Sequence, residues 1–139
     1  MTIKRTIPAS ELIINEDGTI FHLHLLPEQI ADIVMLVGDP GRVAMVSSFF
    51  DSIECEVSNR EFKTVTGTYK GKRMTVLSTG IGIGNIDICV TELDALANID
   101  FTTRQVKDTF RQLTLVRLGT SGALQPDIKV GEAVFSRTS

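Results

Sequence analysis

The residues of this chain best suited to chemistry lie in three stretches: Gly38-Asp-Pro-Gly-Arg42, Asn59-Arg-Glu-Phe62 and Arg117-Leu-Gly-Thr-Ser-Gly-Ala123. The first and last set an arginine beside a glycine turn at the end of an apolar run, and the middle one places Arg60 between two strand-like segments. A guanidinium is a planar fork of donors that matches the oxygens of an anion, and glycine lets backbone N–H groups approach the same anion unobstructed. Together the stretches suggest an anion cradle, and a phosphate site if they meet in space. Singly, each arginine has a plainer reading: Arg42 as a solvated residue of a first helical turn, Arg60 as a cross-strand charge partner, Arg117 as the partner of an acid. Arg117 resists that reading most, because its strand is otherwise apolar and a guanidinium there needs an anion or several hydrogen bonds.

Other motifs narrow the chemistry by failing. Gly80-Ile-Gly-Ile-Gly84 follows a strand-like run, but a dinucleotide fingerprint requires a third glycine where Asn85 stands, and no Gly-Lys-Ser or Gly-Lys-Thr occurs. His22 and His24 share one side of an alternating segment, 21–25, read as extended with both rings at the surface, and no further histidine or cysteine completes a zinc set. Glu61 beside Arg60 reads as a salt bridge. Cys55 alternates with Ile53 and Val57, and Cys89 falls among Ile86, Leu93 and Leu96 at helical spacing. Both read as small buried hydrophobes, not as a disulfide or a catalytic thiol.

These residues need elements to position them. Ile33-Val-Met-Leu-Val37 reads as a central strand ending at the Gly38 turn, followed by a helix with Val43, Val46, Phe49 and Phe50 inward and Arg42 in its first turn. Strands follow at 52–58, 62–69 and 73–78, the last two joined by a hairpin turn at Tyr69-Lys-Gly-Lys72. A second strand, glycine turn and helix occupy 77–98, with Ile86, Cys89, Val90, Leu93, Leu96 and Ala97 inward and Asp87, Glu92 and Asp94 toward solvent. The polar stretch 98–112 reads as a crossover with a short helix, 113–118 as a buried-type strand, and 132–136 as a last strand. Residues 1–20 carry weak signals, with a turn at Asn15-Glu-Asp-Gly18. Strands alternating with helices and interrupted by hairpins predict an α/β domain of three layers, α/β/α, on a mixed central sheet. In such sheets ligands collect beyond the carboxyl ends of central strands, where Gly38, Gly80 and Gly119 fall.

Composition sets outer bounds. The 139 residues are 42% hydrophobic and 22% charged, ordinary for one globular domain. With 14 basic and 17 acidic residues the net charge is −3, which leaves no basic field for tracking nucleic acid. No run approaches the roughly 20 apolar residues that span a bilayer, and residues 1–17 lack a secretory apolar core, so a cytoplasmic location without membrane contact is expected.

Taken in order, these motifs resemble the uridine phosphorylase branch of the nucleoside phosphorylase superfamily. The pieces are Phe21-His-Leu23, Val37-Gly-Asp-Pro-Gly-Arg-Val43, Asn59-Arg-Glu-Phe62, Thr66-Gly-Thr-Tyr-Lys-Gly-Lys72, Ser78-Thr-Gly-Ile-Gly82 and Val116-Arg-Leu-Gly-Thr-Ser-Gly-Ala-Leu-Gln-Pro126, spanning roughly 21–136. The resemblance implies attack of phosphate on the anomeric carbon of a ribonucleoside, most simply uridine, releasing base and ribose 1-phosphate in nucleoside salvage. It implies phosphate contacts from Gly38, Arg42, Arg60, Arg117 and Thr120, with Arg42, Arg117 and Thr120 catalytic. It assigns His22, Ser121 and Gly122 to the nucleoside, His22 at the ribose 5′-hydroxyl, with His22 and Arg60 reaching a neighbouring subunit's site. A homo-oligomer built from dimers, hexameric in relatives, is therefore expected. Glu61, Ile81 and Asn85 match positions around a monovalent cation in some relatives, where serine is usual at Asn85; no other cofactor is implied. Family members run to about twice this length, and the base-reading and ribose-holding residues of their other half have no match here. The expected organisation is an extension, 1–20, followed by the N-terminal portion of one phosphorylase domain, 21–139. The alternatives left open are a non-catalytic phosphate-binding or oligomerising module, a purine nucleoside phosphorylase, and a nucleosidase of the same fold.

Overall fold

The computed structural model describes residues 4–138. The apolar run Ile33–Val37 forms β1, an interior strand of a five-stranded sheet, one place in from its edge. The other strands are β2 (Ser52–Asn59), β3 (Phe62–Tyr69), β4 (Lys72–Ser78) and β7 (Thr114–Leu118), and the order across the sheet is β2-β3-β4-β1-β7. The β2-β3-β4 meander is antiparallel, whereas β4 and β7 both run parallel to β1, so the sheet is mixed as expected. The strands and the hairpin turn of the meander lie where the alternation of the sequence put them.

Alternation along β1 sorts its side chains between two helices. Val37 joins Val65 and Val76 beneath Val43 of helix α1 (Pro40–Ser47), while Val34 and Leu36 join Leu77 beneath Cys89, Leu93 and Leu96 of helix α2 (Ile83–Asn98). The helices therefore cover opposite faces, giving the three-layer α/β/α arrangement. Residues 4–20 are no loose appendage: Leu12 and Ile20 are buried in the α2-side core. Ile7 exchanges hydrogen bonds with Arg104, whose guanidinium also reaches the carbonyls of Pro8 and Leu12.

Several local expectations are corrected. The segment 21–25 is a tight turn instead of an extended run: His24 N–H donates to Ile20 O (3.0 Å), Ile20 N–H to Leu25 O (3.0 Å), and His24 sits at φ 55°. Glu92, expected at the surface, is buried and holds that turn from below, whereas Val90 is exposed. Helix α1 stops at Ser47, which leaves Phe49 exposed. The crossover contains a two-stranded ribbon, β5 (Ile99–Asp100) with β6 (Gln105–Val106), where a short helix was expected. Asp100 decides this by accepting from the N–H groups of Thr102 and Thr103, a local bond that competes with helix and lowers its carboxyl pKa. Cys89 is buried as read, but Cys55 is only half-buried on the edge strand β2, and a bulge between Ile53 and Cys55 takes Ile53 out of the alternation and leaves it exposed.

The largest correction concerns the C-terminal segment. β7 reads as a buried strand yet is exposed along its whole length, because it is the edge of the sheet and neither helix extends over it. Beyond it, 119–138 is exposed and contains no strand among the described residues, so the strand expected at 132–136 is absent. Apolar alternation reports a capacity for burial, and burial requires a partner surface.

Candidate functional site

Because β1, β4 and β7 are parallel, their carboxyl ends share one edge of the sheet, and the turns at Gly38, Gly80 and Gly119 leave from it together. The chain departs from β1 toward α1 on one face and from β4 toward α2 on the other, so a crevice opens where the directions diverge. Its volume is about 910 Å³, and its walls include Gly38, Arg42, Glu61, Gly80, Ile81, Asn85, Arg117, Gly119 and Thr120. The sequence had offered these residues from separate motifs, and the fold brings them to one place.

Local chemistry explains how each wall is set. Asp39 caps α1, its Oδ1 accepting from Gly41 N–H at 2.6 Å, while Pro40 begins the helix with a φ suited to it. That start fixes Arg42 in the first turn, half-buried, at the helix end where the backbone dipole favours anions. Thr79 N–H donates to Val37 O (2.8 Å), locking the end of β4 to the end of β1. Gly80 has φ 67°, and a Cβ there would stand 2.8 Å from Asn85 Nδ2 and 2.9 Å from Glu61 Cγ, so only glycine fits. At Gly119 a Cβ would collide with the Arg117 guanidinium, which lies back over this turn.

The electrostatics of the crevice rest on which charges are already engaged. Among the described residues, the Arg42 and Arg117 side chains make no ion pair and no hydrogen bond within the chain. Asp39 is occupied by its helix cap. An anion entering here meets uncommitted guanidinium groups, the N-termini of both helices and glycine backbone, with Glu61 on the wall toward β3. Arg117 differs from expectation in one respect: it is exposed on the sheet edge, not buried in an apolar strand, and it pairs with no acid among the described residues.

Arg60, His22, Ser121 and Gly122 do not line the crevice. Arg60, at φ 55° in the β2-β3 turn, lies over the Phe21 ring, its Cζ 5.8 Å from the ring centre, and the edge of that ring meets His22 at 4.7 Å between ring centres. His22 is not the free surface ring the sequence suggested: its Nδ1 is 2.7 Å from Glu92 Oε1, and the side chain is 28% exposed. His24 pairs with Asp17 at 3.0 Å. Ser121 and Gly122 lie in the exposed stretch after β7.

At the possible cation position, Glu61 and Asn85 do converge on Gly80, but Asn85 Nδ2 donates to Ile81 O (3.3 Å), engaging the carbonyl that would serve a cation. No group of three or more His, Cys, Asp or Glu that could hold a metal ion occurs among the described residues. Burial, with Glu92 and Glu61 nearby, pushes the Cys89 thiol up to about 12, which removes it as a nucleophile at neutral pH.

Glu92 is the residue sequence reasoning misplaced, although a signal existed. It stands three positions after the inward Cys89 and one before the inward Leu93, inside the helical stripe that faces the core. Arg73, Arg104 and Arg111, which tie distant segments together, left no local signal, because their acceptors, backbone carbonyls and the carboxylates of Glu54 and Asp32, are remote in sequence.

An open α/β sheet with glycine turns and unpaired arginines converging at its carboxyl edge is an arrangement chemically suited to an anion. The chain belongs to the phosphorylase superfamily, whose model matches residues 32–139. It is 36% identical over 124 residues to a uridine phosphorylase of Thermococcus kodakarensis, covering 89% of this chain and 40% of that one. It is also 36% identical over 119 residues to a DeoD-type purine nucleoside phosphorylase of Anoxybacillus flavithermus, covering 85% of this chain and 45% of the relative. Among solved structures, a Trypanosoma brucei nucleoside phosphorylase shown to have uridine phosphorylase activity superposes with a TM-score of 0.78 at 36% identity, over 85% of this chain and 41% of that one. The chain thus spans less than half the length of these relatives. No helix among the described residues is long and apolar enough to cross a membrane.

Proposed function

We propose that this chain forms the phosphate-holding half of a nucleoside phosphorylase site, with uridine as the nucleoside. The observation that carries the proposal is the convergence of Gly38, Arg42, Gly80, Arg117 and Thr120 on one crevice in which both arginines are unpaired. Held there by guanidinium and N–H donors, phosphate is both nucleophile and counter-charge for the oxocarbenium-like state that forms as the glycosidic bond breaks. Arginine suits the role because it stays protonated throughout. Uridine is preferred because the Phe21-His-Leu23 and Asn59-Arg-Glu-Phe62 pieces and the Thr120-Ser121-Gly122 turn lean toward the pyrimidine branch.

His22 and Arg60 serve the site of a neighbouring subunit. Their separation from the crevice of their own chain supports this, as does their joint contact with Phe21. Ser121 and Gly122 line the sugar and base once the segment after β7 is covered.

The test is phosphorolysis by the native protein that carries this chain. Uridine and phosphate should yield uracil and ribose 1-phosphate in equal amounts, with no release of base when phosphate is omitted. Mixing an inactive H22A/R60A protein with an inactive R42A/R117A protein should restore activity, since a mixed dimer assembles one intact site. Base release without phosphate would assign a nucleosidase instead, and no recovery on subunit exchange would assign all these residues to their own chain.

A further inference from the structure

Glu92 is the one buried carboxylate of helix α2, and all its described partners are donors. Its oxygens accept from the backbone N–H of His22 (3.0 and 3.1 Å), from the N–H of Leu23 (2.8 Å) and from His22 Nδ1 (2.7 Å). An ionised carboxylate offers only acceptors, so Nδ1 of His22 carries a proton. In the neutral ring the other nitrogen, Nε2, then has a lone pair, and it has no hydrogen-bond partner among the described residues. The ring is also fixed in orientation: Phe21 packs edge-on at 4.7 Å, and Asn59 Nδ2 donates to the His22 carbonyl at 2.8 Å, tying the turn to the end of β2 beside Arg60.

We propose that Glu92 is a positioning residue that holds His22 as the Nδ1–H tautomer and so presents Nε2 as an acceptor for a hydroxyl of the ligand. Which nitrogen of a histidine is protonated is set by the bond the other makes, and a carboxylate behind the ring is a strong means of setting it. The consequence is a preference by chemical class: Nε2 of this neutral tautomer accepts from a hydroxyl and has no proton to offer a carbonyl or a phosphate ester. The glutamine isostere cannot substitute, because its NH2 would face either a backbone N–H or the ring proton. The hydroxyl assignment rests on the nucleoside reading above; the tautomer assignment does not.

The chain contains a built-in control. His24 faces Asp17 through Nε2 (3.0 Å) and Asn15 Nδ2 through Nδ1 (3.3 Å), so its neutral ring takes the opposite form, Nε2–H. Long-range proton–nitrogen NMR on the 15N-labelled protein, at a pH where the rings are neutral, should show opposite tautomers for the two histidines. In Glu92→Gln, His22 should shift toward Nε2–H while His24 is unchanged. A wild-type His22 protonated at Nε2, or an unaltered His22 tautomer in the variant, overturns the proposal; the wild-type spectrum decides the matter even if the variant does not fold. In phosphorolysis by the native protein, Glu92→Gln should lower kcat/KM for uridine by on the order of tenfold, the worth of one charge-assisted hydrogen bond, and leave 5′-deoxyuridine unaffected. Equal losses for both nucleosides overturn the hydroxyl assignment. Absence of phosphorolysis in the wild-type protein would overturn the functional reading alone, since the tautomers are read without substrate.

Discussion

The arginines of this chain divide between two regions that treat the same side chain in opposite ways. Away from the crevice, Arg73, Arg104 and Arg111 each donate to three acceptors within the chain. Arg111 donates to Asp32 Oδ1 (2.7 Å), Ile30 O (2.8 Å) and Pro27 O (3.4 Å), and Arg73 to Glu54 (2.7 Å), Ile30 O (2.8 Å) and Glu28 O (2.8 Å). At the carboxyl edge, Arg42 and Arg117 have no such partners among the described residues. The first group closes loops that have few hydrogen bonds of their own, while the second leaves its donors for something the chain does not contain. Sequence cannot separate the two groups, since the distinction lies in what the fold brings within about 3 Å.

Breaking the first region should cost stability and spare binding. Arg111→Ala removes the partner of Asp32, the side-chain donor to Pro27 O and one of the two guanidinium donors to Ile30 O, and should lower the unfolding free energy by about 2–3 kcal/mol, read by urea denaturation. Phosphate affinity of the folded fraction should not change.

Breaking the second region should do the reverse. Arg42→Ala, at a half-buried position on a helix N-terminus, should weaken phosphate binding by about 2 kcal/mol, roughly thirtyfold, with stability altered by less than about 0.5 kcal/mol. Arg117→Ala should have a smaller effect, near 1 kcal/mol, because its exposed guanidinium works against water screening. Equal losses for the two variants would show that Arg117 is enclosed when ligand is bound.

A subtler contrast involves the thiols. Cys89 should resist aromatic disulfide reagents at pH 8 while half-buried Cys55 reacts. Because the folded Cys89 thiol titrates near 12 against 9.0 for an unperturbed thiol, its contribution is fully present below about pH 9 and is lost as pH rises through the folded value. Cys89→Ala should flatten that alkaline decline in a pH series of melting curves.

How far the molecule was legible in its sequence follows from the range of the interactions involved. Strands β1 to β4 and both helices are encoded by local periodicity and glycine turns, and they were readable. The crevice was readable too, because its residues flank those turns. The tight turn at 21–25 was not: its alternation mimics a strand, and only Glu92, about seventy residues away, supplies the acceptor that bends it. β7 and 132–136 carry strand patterns that this chain leaves uncovered, so the pattern predicted burial that the fold does not provide.

The central claim is that the crevice arginines are free in order to bind phosphate, and calorimetric titration of inorganic phosphate into wild type, R42A/R117A and R111A tests it most directly. Wild type and R111A should bind with similar affinity, and R42A/R117A should give no measurable heat of binding while melting near the wild-type temperature. Unchanged phosphate affinity in R42A/R117A would contradict the account.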